Sequence, residues 1–209
     1  MKNIKHFLDV INNLDESIKA HIGKFDMPNY FIIHLDKNKD INKEVNKLLN
    51  KIEKEIPKTF GSSIYYIISE LTDNIEQHSH YSNAFILTKY NIKEKIMYII
   101  IFDDGLSIPF VFEKNNISFS QDSEAIKMAL EGKTTKKEDI SRGFGLRTTN
   151  LVVKALNGEM KIISRGGLLS IKGSDINTIN LGKEKLEGTF ISIKLKTPEK
   201  ALNIYPYLE

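Results

Sequence analysis

The sequence predicts an α+β fold: a two-layer α/β sandwich in which a mixed, mostly antiparallel sheet carries helices on one face. Three observations predict it. Apolar residues recur at helical spacing in several separate segments, β-rich runs alternate with those segments, and short turn sequences join neighbouring runs into hairpins. Such an alternation packs as a layer of helices on a sheet.

Residues 4–22 place Ile4, Phe7, Ile11, Leu14 and Ile18 on one helical face, and Gly23 is the stop. "YFIIHL" (30–35) reads as a short strand. Asp40 then caps a helix whose face is Ile41, Val45, Leu48, Ile52 and Ile56, ended by Pro57. A further helix spans residues 62–79, with Ile64, Ile67, Ile68, Leu71 and Ile75 as its buried stripe. "NAFILTKY" (83–90) and "KIMYIIIF" (95–102) form a hairpin, and a long polar, glycine-punctuated stretch follows at 103–145, holding a short helix at 122–130 ended by Gly132. Helical spacing returns at 146–156, "NG" turns the chain, and "EMKIIS", "LLSIKG" and "TFISIKL" read as strands. No internal repeat or low-complexity tract interrupts this order.

Composition narrows the function classes. The 209 residues suit one domain with additions or two small ones, and a hydrophobic content of 41% supplies a core. Thirty basic residues against 27 acidic ones make a mixed surface, which argues against a basic-tract nucleic-acid binder. The absence of cysteine excludes disulfides, zinc–thiolate sites and thiol catalysis. The longest apolar run, which contains "IMYIII" and ends at Phe102, falls far short of the roughly 18 residues of a membrane span. The amino terminus is unlike a secretion signal, so the expectation is a soluble cytoplasmic protein.

Three stretches carry candidate chemistry. In "ELTDNIEQH" (70–78), Glu70 and Asn74 lie about 40° apart on one edge of the apolar stripe, while Asp73 points away from it. A carboxylate and an amide at that depth need partners, and nearby backbone is the simplest source. In "IIIFDDGLSIP" (99–109), a buried strand ends in two acids and a glycine, which ordinary turn chemistry would also explain. In "SRGFGLRTTNLVVKAL" (141–156), two glycines spaced by one residue precede a helix, a pattern suited either to an anion at a helix amino terminus or to a tight turn.

In this order the three stretches resemble the ATP-binding module shared by gyrase, heat-shock chaperone, histidine-kinase and mismatch-repair ATPases, usually called GHKL or HATPase_c, with the Bergerat fold. Glu70 and Asn74 match its N box, "DDGLSIP" its first glycine box, "SRGFGL" its second, and "EGTFISIKL" (187–195) its closing Gly-Thr strand. The likeness covers residues 29–197; residues 1–28 are then an amphipathic helical extension and 198–209 a carboxy-terminal tail. Ser107 and Ser141 stand where the family carries glycines.

The resemblance implies ATP or ADP with Mg2+ as cofactors. It makes Asp103 the acceptor for the adenine amino group, in preference to Asp104, with Thr189 assisting directly or through water and Gly105 keeping the chain clear of the base. Asn74 becomes the magnesium ligand and Glu70 the catalytic base. Ile108 belongs to the first box, Arg142, Gly143, Phe144, Gly145 and Leu146 face the phosphates, and residues 106–140 form the ATP lid. His78 has two readings, a phosphate or ribose contact and a capping or surface histidine; Lys136 and Lys137 also have two, helpers at the phosphates and, the simpler one, solvated lid residues.

Residues 1–28 are expected to be too short for the phosphoacceptor hairpin of a sensor kinase, and no transducer domain is expected after the module. The chain therefore resembles the stand-alone branch, similar to the serine-protein kinases that act as anti-sigma factors. This implies a signalling ATPase or protein serine/threonine kinase with a protein partner, no nucleic acid and no membrane. The alternative is a module that binds nucleotide only to change shape or dimerise. The face of the amino-terminal helix either packs on the sheet or serves a homodimer or partner.

Overall fold

The computed structural model describes residues 9, 11–12, 19–20, 30–36, 38–133, 145–182 and 185–208. Seven strands, β1 (Phe31–Asp36), β2 (Asn83–Asn91), β3 (Ile96–Asp103), β4 (Glu159–Arg165), β5 (Gly167–Lys172), β6 (Asp175–Asn180) and β7 (Leu186–Lys196), form one sheet. Their order is β1-β2-β3-β7-β4-β5-β6. With them come five bounded helices among the described residues: α1 (Ile41–Ile52), α2 (Ser62–Asn74), α3 (Ile108–Lys114), α4 (Asp122–Leu130) and α5 (Gly145–Ala155). The result is an α+β fold compatible with a two-layer sandwich.

Every strand pairing described is antiparallel, a correction to the mixed sheet expected. The reason is topological. Both β3 and β4 run antiparallel to β7, so they share a direction, but β7 lies between them and no parallel ladder forms. The chain from β3 to β4 must cross over β7, and it does so through α3, α4 and α5. That crossing leaves the carboxy-terminal end of β3 open beneath the helices.

Alternation along the strands divides the sheet into two apolar faces. Ile86, Ile99, Ile101, Ile162, Ile191 and Ile193 meet Leu48, Ile64, Ile68, Leu71, Ile126 and Val152 in the main core, where the buried residues of α1, α2, α4 and α5 gather. On the other face Phe85, Leu87, Ile100, Phe102, Ile163 and Phe190 form a second cluster that Ile11 joins at 7% exposure. Ile11 has helical backbone, as do the other described residues before Tyr30. Helical chain thus touches both faces, and Ile11 uses its apolar side chain against the sheet. The rest of the helix expected at 4–22 lies outside the described residues. Ile11→Ala is expected to lower stability by about 2 kcal/mol or more, read as an earlier urea midpoint; an unmoved midpoint would rule out this contact.

Local chemistry explains the helix ends that matter for the cleft. Asp40 Oδ1 accepts the Lys43 amide at 3.0 Å and starts α1. Beyond Asn74, α2 widens into a π-helical turn at Ile75–Ser79 and ends where His80 takes a left-handed φ of 50°. Such turns re-aim the side chains that follow them. The α3 helix was not legible as a helix in the sequence: it has seven residues and a proline in its first turn. It is held by caps, with Ser107 Oγ accepting from Phe110 N at 3.3 Å and Ser164 Oγ accepting from Ile108 N at 2.9 Å. Strand β6, "DINTIN", was also unseen; all six residues are exposed, and only its ladder with β5 defines it. After β7 the chain returns Ile204 to the main core. Among the described residues no helix is long and apolar enough to cross a membrane.

Candidate functional site

The open end of β3 is the floor of a cleft enclosing about 130 Å³. Asp103 and Thr189, directly opposite one another in the β3–β7 ladder, form the polar part of that floor, beside Ile101 and Ile191. Asn74, Ile75, His78 and Ser79 from the end of α2 and its π-turn make one wall, and Leu106, Ile108, Val111, Phe112 and Lys133 make the facing one. Leu146, in the first turn of α5, closes the remaining side. The fold therefore brings Asn74, His78, Asp103, Ile108, Leu146 and Thr189, all singled out in the sequence, around one cavity. Arg142, Gly143 and Phe144 lie outside the described residues, as do Ser141, Lys136 and Lys137.

Asp103 is only 3% exposed. Burial pushes its carboxyl up to about 7, with the neighbouring Asp104 adding to the rise; the Gly105 amide, the Ser79 hydroxyl and the Thr189 amide oppose it. Gly105 N donates to Asp103 Oδ1 at 3.0 Å. The site thus keeps a carboxyl whose ionised form lacks full compensation, and a ligand that donates a hydrogen bond would supply it.

Asp104 has a different occupation. Its Oδ1 accepts the Ser82 and Asn83 amides, each at 2.8 Å, and its Oδ2 accepts Asn83 Nδ2 at 2.8 Å, so it ties the end of β3 to the start of β2. His34 Nε2 lies 2.9 Å from Asn83 Oδ1 and extends this brace to the edge strand. The two consecutive acids separate into one facing the cleft and one holding its frame.

Gly105 is required by close approach. A β-carbon there would lie 2.2 Å from the Ser79 carbonyl oxygen, and the next amide, Leu106 N, donates to that same oxygen at 2.5 Å. Ser107, by contrast, has φ −72° and ψ 154°, ordinary extended backbone. Replacing a glycine by serine at this point costs no conformational freedom and adds a helix cap.

Glu70 and Asn74 meet the first residue of α5. A β-carbon on Gly145 would stand 2.5 Å from Glu70 Oε2 and 3.5 Å from both terminal atoms of the Asn74 amide. Only a residue without a side chain lets the amino terminus of α5 sit so near a carboxylate, which the helix dipole favours there. Glu70 is half-buried and does not line the cavity; it hydrogen-bonds with the Tyr66 hydroxyl, which also bonds Thr148. Burial, then the Glu70 charge, pushes that phenol up to about 12. Among the described residues no group of three or more His, Asp or Glu side chains could hold a metal. A divalent cation beside Asn74 would take one amide oxygen from the protein and most ligands from a bound anion.

Residues 106–133 are part of the packed body. Ala125, Ile126 and Leu130 of α4 are buried, and Arg165 at the β4–β5 turn binds both intervening helices. Its Nε donates to Asp122 Oδ2 at 2.9 Å, and its Nη1 and Nη2 donate to Glu113 at 2.8 Å. Burial alone would raise the Asp122 carboxyl, but Arg165 and the Gly166 amide outweigh it and hold that carboxyl below its usual range. The remainder of the expected lid, beyond Lys133, lies outside the described residues.

Three polar residues of the site were missed in the sequence. Ser79 reaches the cleft through the π-turn and Lys133 through the end of α4, while Ser164, 0% exposed, lies behind the floor, where the register of β4 against β7 sets it 2.9 Å from Thr189 Oγ1. The glycine before Lys133 is the one local signal, since it ends α4 and frees the next side chain; Ser164 has none. Compared with known protein families and with curated proteins, the chain matches no family model and no curated sequence.

Proposed function

We propose that the chain is an ATP-binding signalling protein of the histidine-kinase-like ATPase (GHKL) type, acting on a protein partner as a Mg-ATP-dependent serine/threonine kinase or ATPase switch. The observation that supports this reading is convergence: Asn74, Asp103 and Thr189, spread over more than a hundred residues of sequence, line one cleft. In this reading the Asp103 carboxylate accepts the adenine amino group on the cleft floor. Asn74 offers an amide oxygen toward a cation held mainly by phosphates, at the mouth near α5. Glu70, one helical turn earlier, orients or deprotonates the attacking hydroxyl or water. Bound nucleotide supplies the transferable phosphoryl group.

A second reading, a module that binds nucleotide without turnover, is favoured by one observation. Glu70 is engaged by Tyr66 and seated against Gly145 instead of facing the cleft.

Calorimetry with ATP and ADP, with and without magnesium, tests the binding common to both readings; absence of heat with either nucleotide would remove both. Glu70→Ala and Asn74→Ala then separate them. Under the kinase or ATPase reading Glu70→Ala keeps ATP affinity while turnover falls about 100-fold or more, and Asn74→Ala loses about tenfold of the magnesium-dependent affinity. A wild type that binds ATP yet neither hydrolyses it nor transfers phosphate to supplied partners selects the second reading.

A further inference from the structure

We propose that Ser164 is a specificity-determining positioning residue: it fixes the hydrogen-bond polarity of Thr189, so that the cleft floor selects a nucleobase carrying an exocyclic amino group over one carrying a carbonyl. The inference rests on the nucleotide reading above and deepens it by naming what chooses the base.

A hydroxyl has one hydrogen and two lone pairs, so the contacts of Ser164 can be assigned completely. Its Oγ lies 3.0 Å from the Gly188 carbonyl oxygen, which can only accept, and this contact takes the Ser164 hydrogen. Ile108 N can only donate, and at 2.9 Å it takes one Ser164 lone pair. The third neighbour is Thr189 Oγ1 at 2.9 Å. No hydrogen remains on Ser164 to give it. Thr189 must therefore donate its own hydrogen to Ser164, leaving only lone pairs to turn toward the cleft it lines.

The backbone makes this arrangement possible. The β4–β7 register shifts between Ser164, opposite Thr189, and Arg165, opposite Leu186. The extra residues in β7 are Glu187 and Gly188, and Gly188 takes φ +81°. A bulge of this kind redirects a carbonyl that a regular ladder would have consumed. Here that carbonyl meets Ser164, whose full burial shields all three bonds from water.

Thr189 and the ionised Asp103 then present acceptors side by side. An amino group, with two hydrogens, satisfies both, whereas a carbonyl oxygen meets lone pairs. Asp103 alone is a weaker discriminator, because its raised carboxyl can carry a proton near neutrality and donate to a carbonyl. Thr189 has no such freedom while Ser164 is present.

The test compares ATP with inosine triphosphate, whose base has a carbonyl where adenine has its amino group, by calorimetry on the full chain. Wild type is expected to prefer ATP. In Ser164→Ala the Thr189 hydroxyl is free to rotate and donate, so inosine triphosphate affinity rises relative to ATP and the preference narrows about five- to tenfold. Loss of packing alone would weaken both nucleotides together and leave the ratio where it was. Thr189→Val should narrow the preference by weakening ATP, and adding Ser164→Ala to it should change the ratio no further. If Ser164→Ala does not fold, the Thr189→Val ratio decides. A wild type that binds neither nucleotide overturns the nucleotide reading and this inference with it. A wild type that prefers ATP by a ratio neither variant moves overturns the relay alone.

Discussion

Asp103→Asn is expected to flatten the pH dependence of stability and to weaken ATP binding, two effects with one cause. Unfolded, the carboxyl has its ordinary value of 3.8; folded, burial raises it to about 7. Between those values the folded state keeps a proton that the unfolded chain has released. Stability from this group therefore falls as pH rises through that window, by an amount on the order of 4 kcal/mol above its upper end. Wild-type Tm should drop between pH 5 and pH 8, and the Asn variant, with nothing to titrate, should drop much less. Matching profiles would mean that Asp103 is not the buried titrating group.

The binding effect follows from the donors around the same side chain. The Gly105 and Thr189 amides both point at Asp103, so an asparagine there turns its oxygen to them and its nitrogen toward the cleft. An amino group on the ligand would then face another donor. Loss of a charged acceptor and its replacement by a donor should weaken ATP about ten- to hundredfold, measured by calorimetry at pH 8, where the wild-type carboxyl is ionised. Equal affinities would remove Asp103 from base recognition.

Gly188→Ala should be the most damaging single methyl in the sheet. A β-carbon at this position would lie 1.9 Å from the Asp103 carbonyl oxygen and 2.9 Å from Gly105 N, and φ is +81° besides. The obstruction is backbone on both counts, so no side chain can rotate away, and the bulge that supports Ser164 and Thr189 must open. We expect a loss of about 3 kcal/mol or more in urea unfolding, the range of a strained conformation combined with a core clash. Gly173→Ala is the matched control. Its φ is +60° but nothing lies within 4 Å of the added carbon, so it should cost only the conformational term, about 1 kcal/mol. Equal losses in the two variants would show that the close approach at Gly188 does not matter.

Residues whose role depends on periodicity were legible from the chain alone. The stripe Ile64, Ile67, Ile68, Leu71 and Ile75 became the buried face of α2 and of the π-turn that continues it, and Asp40 became the cap of α1, because both signals act within one or two helical turns. The hairpin of β2 and β3 was equally readable, its alternation and its turn lying next to each other in sequence. An α+β architecture and a set of candidate polar residues followed from such local patterns.

Contacts between distant segments decided the rest. The chain order could not say that β7 inserts between β3 and β4, yet that insertion sets Thr189 opposite Asp103 and makes the sheet wholly antiparallel. A hydroxyl such as Ser164 has no preferred partner in its own sequence neighbourhood; its three bonds reach Ile108, Gly188 and Thr189 only after the strands have found their register. Asp103 and Asp104 are adjacent and chemically alike, and burial against Ser79 and Thr189 on one side, with the Ser82 and Asn83 amides on the other, is what gives them different work. Short-range sterics and spacing wrote the elements, while the polarity of the cleft came from long-range packing, where desolvation and hydrogen-bond direction are set.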